Sequence, residues 1–107
     1  MSLLTLHASA ATTVTGTGLV VPVQAAGGSL AVFLDVTVDD ITTADFDIQW
    51  SLDGANFWEL ASQDSMTQAT GITTEAKIFT IKGPFCRVAY TLTGTSVTWS
   101  MVGHVIN

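Results

Sequence analysis

Basic residues are scarce in this chain of 107 residues: three Lys and Arg stand against nine Asp and Glu, a formal charge of −6. With a pI near 4.3, neither nucleic acid nor an anionic membrane is expected as a partner, because both need a basic footprint. A single cysteine, Cys86, excludes an internal disulfide and every multi-cysteine zinc pattern. No run approaches the ~18 apolar residues of a membrane span. The start, Met1 to His7, lacks the basic and long apolar stretches of a signal peptide. The expectation is a chain made and kept in the cytoplasm unless something carries it out.

Groups poised for proton transfer are equally few. The two histidines, His7 and His104, lie near opposite ends, with no third ligand or acid partner beside either. Cys86 falls in phase with Val88 and Tyr90, the pattern of a buried, inert thiol. Nothing selects Glu59 and Glu75 as a glycosidase pair. The run Asp39, Asp40, Asp45, Asp47 and Asp53 has the wrong spacing for an EF-hand loop and reads as a solvated acidic face rather than a calcium site. No enzyme and no cofactor are predicted.

What the chain does hold is apolarity. Hydrophobic residues make up 48% and charged ones 11%, against roughly 25% charge in an ordinary soluble domain. Thr, Val, Ile and aromatics abound where helix-forming stretches are missing, so the fold class is all-β. Strict alternation marks two strands. In one, Leu30, Val32, Leu34, Val36 and Val38 share a face; in the other, Phe46, Ile48 and Trp50 point inward with Asp45, Asp47 and Gln49 outward. Further strands are expected at Ala10–Thr15, Gly18–Val23, Phe57–Ala61, Glu75–Ile81, Phe85–Leu92 and Ser96–Val105. Turns are placed at Ala25–Gly28, Asp53-Gly54, Gly83-Pro84 and Thr93-Gly94-Thr95, with a loop over Gln63–Thr74. Pro22 places its strand on an edge. About eight strands at this spacing predict one antiparallel β-sandwich over residues 1–107, jelly-roll-like, with 1–9 as an extended arm.

Three sets of residues stand out as contact groups. Leu3, Leu4 and Leu6 have few polar neighbours; Phe33 sits on the second face of its strand; and of adjacent Phe57 and Trp58, one must face outward. Trp50 and Trp99 follow the inward phase, so an exposed platform for a sugar ring falls to Trp58 or Phe57. Charge is polarised along the chain. Eight acids (Asp35, Asp39, Asp40, Asp45, Asp47, Asp53, Glu59, Asp64) precede the three bases Lys77, Lys82 and Arg87, which predicts basic groups meeting acids of a neighbouring copy.

Several marks together resemble the small β-sandwich structural proteins of tailed bacteriophages. They are Gly16-Thr17-Gly18, Leu34-Asp35-Val36-Thr37, Ser51-Leu52-Asp53-Gly54 followed by Phe57-Trp58, then Phe85 to Gly94 and Val97-Thr98-Trp99-Ser100. The resemblance implies a virion protein of the capsid-decoration or head-stabilising type. It further implies a homo-oligomer, with a trimer favoured, seated on the major capsid protein or another virion protein. The alternative is a carbohydrate-binding sandwich, free or on a phage fibre.

Overall fold

The computed structural model describes residues 3–23, 28–58 and 64–106. Every regular element among them is a strand: β1 (Leu3–Thr12), β2 (Gly16–Thr17), β3 (Val21–Pro22), β4 (Ser29–Ser51), β5 (Phe57–Trp58), β6 (Asp64–Ser65), β7 (Thr73–Thr80) and β8 (Phe85–Ile106). All pairings are antiparallel. The frame is the long pair β4 and β8, 23 and 22 residues, which run together from Ser29↔Ile106 to Ser51↔Phe85. On the free side of β8 lie β1, β2 and β3; on the free side of β4 lie β5, β6 and β7.

Strands of this length cannot stay flat, and the sheet curls over in the middle. The pairing of β4 with β8 slips between Val36 and Val38, between Asp40 and Ile41, and between Ile41 and Thr43. On the partner strand Gly94 holds φ 132°, which a residue with a side chain rarely adopts. The curl divides the sheet into two facing layers: β1, 97–106, 29–36 and β7 in one, and β2/β3, 85–92, 44–51 and β5/β6 in the other. With the long strands counted on both sides of the bend, this is the eight-stranded connectivity of a jelly roll.

Alternation dictates what lies between the layers. Leu30, Val32, Leu34 and Val36 from one meet Phe46, Ile48, Trp50, Cys86 and Val88 from the other, with Val97, Trp99 and Met101 completing one buried cluster. The Phe46 and Trp99 rings, from opposite layers, lie 4.6 Å apart. One edge of the sandwich is sealed by backbone: Leu19 N–H donates to the Leu6 carbonyl and Gly18 N–H to that of Val88. At the other edge charged side chains span the gap. Lys77 Nζ donates to the Ser65 carbonyl at 2.8 Å, and Glu75 Oε1 accepts Thr67 N–H at 2.7 Å.

Four expectations are corrected. Residues 3–9 are no arm: they belong to β1, because Leu6 is needed in the core and the β8 edge offers free ladder groups. The strand expected over Ala10–Thr15 therefore starts earlier and ends at Thr12. Thr93-Gly94-Thr95 bends β8 without reversing it. The loop before β7 contains β6 and an isolated bridge, Ala69↔Ala44, that holds it to β4. The turn residues Ala25, Ala26 and Gly27, and residues 59–61 of the strand expected after Phe57, lie outside the described residues.

Candidate interaction surface

The two outer faces of the sandwich differ in chemistry. On the outside of the 44–51 and 85–92 layer stand Asp45, Asp47, Gln49, Arg87 and Thr91, as alternation requires when the inward partners are apolar. The outside of the other layer reads otherwise. Register aligns Leu3, His104, Ala31 and Ile78 in one row across four strands. The next row is Thr5, Val102, Phe33 and Ala76. Phe33 is 48% exposed, Ile78 67% and Leu3 71%. Asp35, paired with Ser100 and Thr74 at one end, is the one acid that this register places on that face. A shallow depression of about 510 Å³ there is lined by Phe33, Ala76 and Val102 together with Ser100, Thr74 and the acids Asp35 and Glu75. A sheet face open to water ordinarily carries polar residues, so this one is built to be covered.

A second, smaller feature lies at the β4–β5 turn. Ser51 is buried, and its Oγ accepts the N–H groups of Asp53 and Gly54. Asp53 Oδ1 in turn accepts those of Ala55 and Asn56, bonds that hold its carboxyl well below the usual carboxylate range. Gly54 takes φ 80°, so the Asp-Gly turn forms as expected. Beyond it Trp58 projects, 52% exposed, beside a cleft of about 250 Å³ lined by Trp50, Leu52 and Lys82. Asp64 Oδ2 receives both Trp50 Nε1–H and Lys82 Nζ, each at 2.7 Å.

The predicted contact residues are thus scattered. Leu3, Phe33 and Trp58 are exposed, but only Leu3 and Phe33 share a face. Leu6 is corrected outright: it is fully buried against the core, because its position in β1 points inward between the layers. Leu4 packs partly against the same core. Phe57 is half-buried beneath Arg87, whose guanidinium lies 4.0 Å from the ring centre while its Nε donates to Gln49. The polarisation of charge along the chain does not survive folding. Residues 44–51 and 64–65 lie beside 75–87, so Lys82 pairs with Asp64, and Lys77 reaches the Ser65 carbonyl while Ser65 Oγ donates to Asp47. Within the chain, Lys77, Lys82 and Arg87 each have a partner, and of the three only Lys82 pairs with an acid. Sequence reasoning missed Ile78 and Ala76; the signal was the edge strand β7, which alternates Thr74, Ala76 and Ile78 outward in step with Phe33.

The first and last strands do pair, yet the histidines do not face each other: Leu3 opposes His104 and His7 opposes Met101. His7 instead stacks on Trp99, ring centres 3.7 Å apart, and its Nδ1–H donates to the Trp99 carbonyl. Burial lowers its pKa below 6.5, only partly offset by that bond. Trp99 Nε1–H donates to Thr12 Oγ, which itself lies 3.5 Å from His7 Nε2. Cys86 is buried and its pKa is pushed up to about 12, a thiol unsuited to attack. Among the described residues no three His, Cys, Asp or Glu side chains gather as metal ligands. Comparison with known families, curated proteins and solved structures finds no match to this chain.

Proposed function

We propose that the protein is a non-enzymatic structural component of a tailed-phage particle, of the kind that decorates and stabilises an assembled head. The observation that carries this reading is the two-faced sandwich: one outer face charged and solvated, the other carrying exposed Leu3, Phe33 and Ile78 with a single acid, Asp35, in its register. A rigid sandwich with one solvated face and one face built to be covered suits a component packed among other chains, and binding the assembled lattice in preference to its free subunits stabilises assembly by mass action. The resemblance of the strand and turn marks to phage sandwiches supports the same reading.

Co-sedimentation with the heads of the virus that encodes the chain tests it. Retention on assembled heads, with none on dissociated major capsid protein, is the expected result; no retention on either removes the proposal. The carbohydrate alternative rests on a different observation, the half-exposed Trp58 indole beside the Trp50–Asp64–Lys82 cluster. It requires retardation in affinity electrophoresis against a panel of polysaccharides that is lost in Trp58→Ala. Uniform mobility across the panel ends it.

A further inference from the structure

We propose that the apolar outer face of the layer formed by β1, 97–106, 29–36 and β7 is an isologous interface between two copies of this chain. The inference rests on reading that face as one that is covered in the assembled state; it assigns the cover to a second copy and leaves contact with a head to the remaining surface of the dimer. Three arguments select a second copy.

The first is charge. Each chain carries −6, and Asp45, Asp47, Asp53 and Asp64 lie on the opposite layer or its connecting turns. Two copies meeting through this face hold these acids far apart, whereas contact through the opposite layer brings them together. Beyond Asp35 and Glu75 at one end, the face gives a strongly charged partner little to pair with.

The second is geometry. A two-fold axis in the contact plane, perpendicular to the strands, reverses the partner's strand direction. Asp35, the acid in the register of the face, then sits on opposite sides of the axis in the two copies, roughly 14 Å apart along the strands at about 3.4 Å per residue. Phe33 and Val102, central in the face, fall near the axis, where anchor residues contribute most.

The third is size. Four strands about 4.8 Å apart and eight residues long cover roughly 500 Å² in each copy, or about 1,000 Å² for the pair. That reaches the threshold of a specific contact without the extent of an obligate one, so the dimer is expected to dissociate in the micromolar range. A flat face is used up by one partner, so association through it closes at two.

Sedimentation equilibrium of the full chain from about 1 to 100 μM reads the result directly. The native chain is expected to shift from monomer to dimer across that range. Phe33→Glu and, independently, Ile78→Asp should each raise the dissociation constant at least about 100-fold. Both positions are exposed, so at about 1 μM, where the native chain is monomeric, far-ultraviolet circular dichroism and Tm should stay as in the native chain; Trp58→Ala, on the other layer, should dimerise normally. A native chain monomeric at 100 μM, or an oligomer of any size indifferent to both substitutions, overturns the interface. Dimerisation without head binding leaves the interface standing and removes the decoration reading. Head binding by a strict monomer does the reverse.

Discussion

Gly18 shows what a single residue decides in this fold. A Cβ built there would stand 2.5 Å from the Leu6 carbonyl oxygen and 2.7 Å from Val88 Cγ1. Neither can retreat, since the carbonyl already accepts Leu19 N–H and Val88 is fully buried. Gly18→Ala is therefore expected to destabilise the protein by roughly 1–3 kcal/mol, measured as a lower urea midpoint at unchanged m-value. From the sequence Gly18 reads as the start of a strand after a break at Gly16-Thr17, whereas Gly16–Thr17 pairs as β2 and the next strand begins only at Val21; that Gly18 is where β1 and β8 converge depends on pairing across the whole chain. Trp99 and Trp50 were legible as core because their strands alternate cleanly. Ser51 was not: a serine ending a strand looks solvated until its hydroxyl is seen gathering the turn's N–H groups.

At the scale of elements, β1 hangs on an irregular ladder. Its register against β8 shifts between Thr5 and His7 and again between His7 and Ala10. Those bulges break the period-2 pattern, which is why Leu3, Leu4 and Leu6 read as an apolar arm instead of a strand. Similarly, Thr93-Gly94-Thr95 carries the signal of a turn, and a bend inside one long strand uses the same residues. His7 pins the irregular stretch through the Trp99 carbonyl and the indole face. Its folded-state pKa is lowered, so below pH 6.5 the unfolded chain binds more protons than the folded one. The stability this contributes is complete above about pH 6.5 and lost as pH falls through the folded value, with a slope of at most about 1.4 kcal/mol per pH unit. Tm should decline between pH 7.5 and 5.5, and His7→Asn, which keeps a donor to the carbonyl without titrating, should flatten that decline. Equal slopes in the two proteins would assign the effect to other groups.

For the whole molecule, the excess of apolar over charged residues resolves into two portions. One fills the core between the layers; the other is exposed, partly on the outside of one layer (Leu3, Phe33, Ile78, Ile106) and partly in loops and turns (Val14, Leu19, Val20, Leu52, Ile72) and at Trp58, and the first group is revealed only after β7 is known to flank β4. The same topology governs how the chain folds. The first strand pairs with the last, and His7 meets Trp99 across 92 positions, so the ladder that carries Leu6 into the core closes only after a long loop has been ordered. Pairing of this separation places refolding in the millisecond-to-second range, far slower than helical domains of equal length. Leu6→Ala should cost about 2–5 kcal/mol through the cavity it leaves in the core. If β1 docks after the β4–β8 ribbon has formed, the loss appears mainly as faster unfolding, with the refolding rate nearly unchanged. Stopped-flow chevrons of the two proteins separate the cases. A loss carried mostly by the refolding limb would place the pairing of β1 with β8 in the nucleus itself.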